Sequence, residues 1–294
     1  MSVPDTGAAV FRPALIIAGM HRSGTSLTAA LCQTAGLFIG HRLMPGYPGN
    51  ERGHFEDMDF VGIHQRSLVA NGLVDTGFDI GTASLSVPVA ERDVARSLLE
   101  ERRALGVHWG WKDPRSVLFL PFWAEAIPEA KFLFVFRRPC EVVDSLFRRN
   151  SDVDRIFRGD PLRAVLLWCR YNTAIRDFAR THADRVLVRE IRQIVASPAA
   201  LVADMGRELG IPLLEPQPVY EPGRLTTGLP ASRESLVALA APETQILYDD
   251  LRGLAGSWEP PGQGAEGPMA DWPQAFAEWV EEAARPRQSG RTHP

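Results

Sequence analysis

The chain has 294 residues, of which 45% are hydrophobic, so it can bury the core of one large α/β domain or two small ones. Its formal net charge of −4 argues against a nucleic-acid-binding protein that relies on bulk positive charge. No apolar run approaches the ~18 residues of a membrane span, so a soluble, cytoplasmic protein is expected. The widely spaced Cys32, Cys140 and Cys169 lie in apolar helical patterns and are expected to be buried thiols, not a disulfide or metal site.

The first predicted elements are a strand, a turn and a helix. The apolar run at 15–18 predicts a buried strand, residues 19–24 a glycine-bearing turn, and residues 25–35 a helix that Gly36 ends. At such a junction backbone N–H groups converge and the helix dipole favours negative charge. The stretch therefore predicts an anion site, although its serine and threonines could also serve only as helix caps.

The spacing of Gly19 and Gly24 is that of the P-loop of nucleoside-triphosphate-binding proteins. However, Thr25 stands where the P-loop lysine should follow, and the cation lies inside the loop, at Arg22. The pattern favours a phosphate cradle over an ATPase loop. Its expected binding residues are His21, Arg22, Ser23, Gly24, Thr25 and Ser26.

The rest of the chain alternates strands with helices. Further strands are predicted at 107–111, 131–136 and 185–188. Helices are predicted at 57–70, at 89–105, up to 127 after the second strand, from 139 through 149, from 161 to about 183, around 191, at 198–209 and at 243–254. Loop-like stretches are predicted at 37–55, 73–88 and 211–230. Residues 12–255 are read as one domain, followed by a loosely attached Gly- and Pro-rich tail at 256–294 with a short amphipathic helix at 272–284.

This alternation predicts a three-layer α/β fold of P-loop-like type, with a central parallel sheet flanked by helices. In such sheets ligands bind outside the carboxyl ends of the strands. Three strands deliver a basic turn to that edge, and the turns carry Arg22, Lys112 with Arg115, and Arg137 with Arg138. Packing does not explain three such turns, so one polyanionic ligand spanning neighbouring strand ends is expected.

The turn after 131–136 has the most specific sequence, FVFRRPCEVVDSLFRR. It resembles the 3'-phosphate motif of sulfotransferases that use 3'-phosphoadenosine 5'-phosphosulfate (PAPS). The resemblance implies that Arg137 and Ser145 reach the 3'-phosphate, and that Arg149 matches an arginine of the protein-tyrosine branch. Arg149 could also be a solvated helix end.

The loop with Arg22 before Ser-Gly-Thr-Ser is similar to the 5'-phosphosulfate loop of the same family, as in its protein-tyrosine and several bacterial carbohydrate branches. The resemblance covers roughly 15–190. The family's C-terminal Arg-Lys-Gly signature is absent, and Arg224 is a candidate substitute or a plain surface arginine.

The resemblance implies PAPS as co-substrate and 3',5'-ADP as product, with no metal. Sulfuryl transfer needs a base for the acceptor hydroxyl and cations where negative charge grows. Arg22 and Lys112 are the candidate cations, although Lys112 could also be an exposed lysine paired with Asp113. Glu56 is the first candidate base, desolvated by Phe55; His54 and His21 are the alternatives, and Glu56 could instead cap the next helix.

The sequence therefore predicts a PAPS-dependent sulfotransferase acting on a hydroxyl, with a carbohydrate favoured and tyrosine or a small alcohol open. Neither a nucleic-acid partner nor a membrane span is expected. A P-loop kinase or NTPase is the main alternative, but it should carry a loop lysine and a magnesium-binding Asp where this chain has Thr25 and Arg137. A nucleotide-binding module without a working base is the non-enzymatic alternative.

Overall fold

The computed structural model of the chain describes residues 12–46, 53–79, 81, 85–148, 156–219, 225, 229–256 and 272–285. Within these residues one sheet of parallel strands forms, in the order β2–β1–β3–β4. The strands are β1 (Ala14–Ala18), β2 (Trp109–Lys112), β3 (Lys131–Phe136) and β4 (Val186–Glu190). The predicted α/β fold with a central parallel sheet is confirmed.

Helices cover both faces of this sheet. They are α1 (Thr25–Thr34), α2 (Met58–Ala70), α3 (Val89–Arg103), α4 (Leu120–Ala126), α5 (Pro139–Phe147), α6 (Ile156–Gly159), α7 (Pro161–Thr181), α8 (Ile191–Ala196), α9 (Pro198–Leu209), α10 (Ala231–Ala240), α11 (Glu243–Leu254) and α12 (Trp272–Ala284). Short 3-10 helices at Pro114–Phe119 and Ala183–Arg185 precede α4 and β4. Helices α6 and α10 were not predicted.

The apolar stretch after β2 does not form the single helix that its sequence predicts. It is a 3-10 helix followed by α4, in which Pro121 occupies the first turn. Proline lacks the N–H that would continue a helix and its ring clashes with the carbonyl four residues earlier. The helix is therefore broken ahead of Pro121.

Strand β1 and residues 132–136 of β3 are buried on both faces, which explains why these two sequences are continuously apolar. Leu15 and Ile17 of β1 face one core, which α1, α8 and α9 complete. Ile16 and Ala18 face the other, larger core, to which α5, α7 and α11 contribute. The carboxyl ends of the strands are thereby fixed at one edge of a rigid sheet.

The helix predicted in the C-terminal tail is confirmed, but the expectation of loose attachment is wrong for α12. Trp279 of α12 is 1% exposed, and its Nε1 donates to Asp144 Oδ1 of α5 at 3.1 Å. Its ring meets Phe147 edge-on, with centroids 5.4 Å apart. Buried aromatic surface with a satisfied indole N–H attaches α12 to α5. The domain boundary at 255/256 stays a prediction.

The three cysteines are thiols, as predicted, with Cys32 and Cys140 buried and Cys169 half-buried. Burial raises the pKa of each of these thiols to about 12. In the part of the chain that the structure describes, no helix is long and apolar enough to cross a membrane.

Candidate functional site

The loop between β1 and α1 has a backbone that two glycines make possible. A Cβ on Gly19 would lie 2.1 Å from the carbonyl oxygen of Val135, so this position admits no side chain. Gly24 has φ 95° and is the N-cap of α1, and a Cβ there would lie 2.4 Å from Ile191 Cδ1. The loop is therefore pressed against β3 on one side and α8 on the other.

The hydroxyls of this loop do not cap α1, contrary to the alternative left open by its sequence. No side chain caps the helix within the described residues. Ser26 Oγ donates to the carbonyl of His54 at 3.1 Å, and Thr28 Oγ1 to that of Gly24 at 3.1 Å. Ser23 is fully buried, and its Oγ has no hydrogen-bond partner among the described residues. An uncapped N-terminus and an unsatisfied buried hydroxyl fit an anionic ligand.

The sheet order brings together the three basic turns, as their sequence predicts. Strand β1 lies between β2 and β3, so its loop is flanked by the turn of Lys112 on one side and that of Arg137 on the other. Lys112 is paired in register with Ile17. The two strands that follow β1 in sequence lie on opposite sides of it, so the strand order reverses at β1, and such a switch point is where parallel α/β sheets bind ligands.

Two of the turns are joined by hydrogen bonds. Arg22 Nε donates to Ser145 Oγ of α5 at 2.9 Å, across 123 residues of sequence. Arg137 is 4% exposed; its Nη1 donates to the carbonyl of Arg22 at 3.2 Å and its Nε to Glu141 Oε2 at 2.9 Å. The two predicted phosphate motifs therefore form one unit. Arg138 instead pairs with Glu234 of α10.

Lys112 is buried and does not pair with Asp113, so the alternative of an exposed lysine is wrong. Its Nζ donates to Glu56 Oε1 at 2.6 Å. The other oxygen of this carboxylate, Oε2, accepts from Arg115 Nη2 at 2.9 Å. A buried carboxylate thus lies between two cations, next to the anion loop.

The capping alternative for Glu56 is also settled by geometry. Asp57 is the N-cap of α2 and its Oδ1 accepts from the N–H of Asp59 at 3.1 Å. Asp57 Oδ2 also accepts from the buried Arg102 at 2.9 Å. The cap is therefore Asp57, and Glu56 is left to Lys112 and Arg115. Phe55, expected to desolvate Glu56, packs against the core that contains Leu15 and Ile17.

Asp113 fixes the position of Arg115. Its Oδ1 accepts from Arg115 Nε at 2.8 Å and from the backbone N–H of the same residue at 2.9 Å. Burial alone would raise the pKa of Asp113, but the charge of Arg115 and the hydrogen bonds from Arg115 and His64 hold that pKa below its usual range. Burial alone would lower the pKa of Arg115, but Asp113 and Glu56 raise it. Both groups are therefore charged.

Two of the histidines were expected at the site, and a third was missed. His21 stacks edge-on against Phe78 and Tyr171, with centroids 4.8 and 5.8 Å away. His54 accepts from Ser26 through its carbonyl. The missed residue is His64, which is 1% exposed on the inner face of α2 and hydrogen-bonded to Asp113. A lone histidine among apolar helical positions gives no sequence signal for such a contact.

Arg149 and Arg224, two of the predicted site residues, lie outside the described residues. Within the described residues no group of three or more His, Cys, Asp or Glu side chains is arranged to hold a metal ion.

The sheet order, the glycine turn after β1 and the arginine turn after β3 define an α/β protein of P-loop-like architecture. The model of a protein family described as the sulfotransferase family matches residues 13–216, well over half of the chain. The chain belongs to the sulfotransferase family and is a sulfotransferase enzyme.

The solved structures that this chain matches include two from bacterial sulfotransferases. A sulfotransferase from Alicyclobacillus acidocaldarius is 19% identical with a TM-score of 0.48, over 85% of this chain and 98% of that one. The sulfotransferase domain of the Synechococcus PCC 7002 olefin synthase is 18% identical with a TM-score of 0.45, over 97% of this chain and 99% of that domain. No curated protein matches the chain.

Proposed function

We propose that this sulfotransferase transfers the sulfuryl group of PAPS to a hydroxyl, with a carbohydrate as the favoured acceptor, and releases 3',5'-ADP. The observation that carries the proposal is the hydrogen bond from Arg22 to Ser145. It joins the loop that resembles a 5'-phosphosulfate site to the helix that resembles a 3'-phosphate site. A nucleotide with an anionic group at both positions would span these two turns.

On the donor side, the backbone of 19–26 and the unsatisfied hydroxyl of Ser23 would hold the 5'-phosphosulfate. Arg137 and Ser145 would hold the 3'-phosphate, because a guanidinium offers the paired N–H groups that a phosphate accepts. Arg137 is held by Glu141, which aligns it before the nucleotide binds. Arg149 belongs to the same proposed phosphate site.

In the transfer step, the acceptor oxygen forms a bond to sulfur while the bond from sulfur to the phosphate oxygen breaks. The hydroxyl proton passes to Glu56, and the electron pair of the broken bond stays on the phosphate. Lys112 and Arg22 would stabilise the charge that grows on the transferred and leaving groups. Each Glu56 oxygen accepts a hydrogen bond from one cation and keeps a second acceptor position, so the carboxylate can also accept a hydrogen bond from a hydroxyl. His54 and His21 remain the alternative bases.

A cytoplasmic location is part of the proposal, since unpaired thiols persist in a reducing compartment. The kinase alternative has no support from the site, because the cation after Gly24 is missing and β3 is followed by Arg137 where a kinase would carry a magnesium-binding Asp.

Calorimetry without magnesium tests the donor. We expect 3',5'-ADP to bind at least about 10-fold more tightly than 5'-AMP, since each hydrogen bond to a charged group contributes about 1.5–3 kcal/mol. ATP should also bind weakly. Equal affinities for 3',5'-ADP and 5'-AMP would remove the assignment of Arg137 and Ser145 to a 3'-phosphate.

Turnover tests the enzyme. Release of 3',5'-ADP from PAPS is measured with glycans, tyrosine peptides and small alcohols as acceptors, and we expect the fastest release with a glycan. Tight 3',5'-ADP binding without release for any acceptor would favour the non-catalytic module.

A further inference from the structure

Behind Glu56 lies a buried chain of hydrogen bonds that the proposed reaction does not use directly. It runs from α4 through α2 to the turn after β2 and ends on the Glu56 carboxylate. Its members, none more than 5% exposed, are Trp123, His64, Asp113, Arg115 and Glu56. The steps are 2.9 Å from Trp123 Nε1 to His64 Nε2, 2.8 Å from His64 Nδ1 to Asp113 Oδ2, 2.8 Å from Asp113 Oδ1 to Arg115 Nε, and 2.9 Å from Arg115 Nη2 to Glu56 Oε2.

The first of these contacts determines the protonation of His64. An indole N–H can only donate, so His64 Nε2 must accept and carries no proton. Ser116 Oγ lies 3.5 Å from the same nitrogen and can also donate to it. The imidazole proton is therefore on Nδ1, and it is donated to Asp113. In this geometry His64 is a neutral imidazole of one defined tautomer.

Because His64 is neutral, it is Arg115 that balances the negative charge of Asp113. The Asp113 carboxylate is held on one oxygen by His64 and on the other by Arg115, so it cannot rotate without breaking both contacts. Arg115 is gripped at Nε, which directs its Nη2 towards Glu56. Lys112 occupies the other Glu56 oxygen, so the carboxylate is held at both ends.

We propose that His64 is a positioning residue for sulfuryl transfer: as the neutral Nδ1–H tautomer, it orients Asp113, which holds Arg115 against the carboxylate of Glu56. This role rests on the proposed function of Glu56 as the base. A side chain that only packs in the core would need no polar atoms, whereas both ring nitrogens of His64 form hydrogen bonds in a network that ends at the site.

The tautomer is tested without any substrate. A side-chain proton–nitrogen correlation spectrum of the nitrogen-15-labelled full-length protein distinguishes Nδ1–H from Nε2–H and from the cation, and His64→Gln assigns the signal. We expect His64 to stay neutral and Nδ1-protonated at neutral pH. An Nε2–H or cationic His64 overturns the proposal, whatever the donor is.

The positioning role is tested by two polar variants that each keep one half of the histidine. His64→Asn keeps a donor near the Nδ1 position, facing Asp113, while His64→Gln keeps an acceptor near the Nε2 position, facing Trp123. We expect His64→Gln to lower kcat roughly 10- to 100-fold, the scale of a misplaced reacting group, with 3',5'-ADP affinity unchanged. His64→Asn should retain kcat within about 3-fold of the parent, because the contact to Asp113 survives.

The final arm combines His64→Gln with Glu56→Gln, at a temperature where circular dichroism shows each variant folded. If His64 acts through Glu56, His64→Gln should lower turnover less than about 2-fold further once Glu56 is gone. Additive losses, or equal losses in His64→Asn and His64→Gln, overturn the proposal. A parent protein that shows the expected tautomer but releases no 3',5'-ADP from PAPS counts against the proposed function instead.

Discussion

The buried contact between Lys112 and Glu56 makes a sharp prediction for Glu56→Gln. The carboxylate accepts from Lys112 Nζ and Arg115 Nη2 with different oxygens. A glutamine has one acceptor oxygen, and its NH₂ group would face the second cation. Glu56 is 5% exposed and Lys112 1%, so solvent cannot replace the lost partner. Removing one member of a buried ion pair costs about 3–5 kcal/mol of unfolding free energy.

The double variant Glu56→Gln with Lys112→Met separates charge from packing. The charges of Glu56, Lys112, Arg115 and Asp113 cancel; Glu56→Gln leaves one excess positive charge, Lys112→Met leaves one excess negative charge, and the double variant is again balanced. We therefore expect both single variants to be destabilised and the double variant to recover most of the loss.

Thermal unfolding followed by circular dichroism measures this cycle. At about 2–4 °C per kcal/mol for a domain of this size, each single variant should lower Tm by roughly 6–20 °C. Lys112→Met should also lower transfer from PAPS by about 10²-fold or more, because it removes a preorganised cation. A decrease in Tm of under about 2 °C in Glu56→Gln would refute the reasoning, and so would a double variant no more stable than the less stable single variant.

Two further predictions concern α5. Ser145→Ala should weaken the binding of 3',5'-ADP by about 10-fold in calorimetry, since it removes one hydrogen bond to a charged group, and it should leave the binding of 5'-AMP unchanged. Ser23→Ala in the loop should weaken the binding of both nucleotides. Equal effects of the two variants would remove the assignment of Ser145 to the 3'-phosphate. Trp279→Phe should lower the free energy of urea unfolding by about 1–3 kcal/mol, because Asp144 loses a buried donor, while Trp272→Phe, at a 37% exposed position of the same helix, should change it by under about 0.5 kcal/mol. Similar losses at the two tryptophans would show that the contact to Asp144 does not stabilise α12.

The sheet and the anion loop could be predicted from sequence because their signals are local. Strands buried on both faces are continuous apolar runs, and the turns that follow them carry their cations within a few residues of the strand end. The proximity of the Arg22 loop to the start of α5 could be anticipated for the same reason, since both follow neighbouring strands at one sheet edge. Helix α10 was missed because it follows a Pro-rich segment and is weakly amphipathic, so packing decides its formation.

The network around Glu56 could not be predicted, because its contacts join four separate parts of the chain. Lys112 and Arg115 lie in one turn, and local sequence favours pairing each of them with the adjacent Asp113. In the folded chain Asp113 binds Arg115 with one oxygen and His64 with the other, and Lys112 binds Glu56, 56 residues earlier. His64 determines which cation each carboxylate binds, and it lies on α2, whose sequence pattern shows only an apolar face. His64 is a neutral donor to one oxygen of Asp113, so Asp113 binds one cation, Arg115, with its other oxygen. Lys112 and Glu56 therefore remain for the site beside the loop.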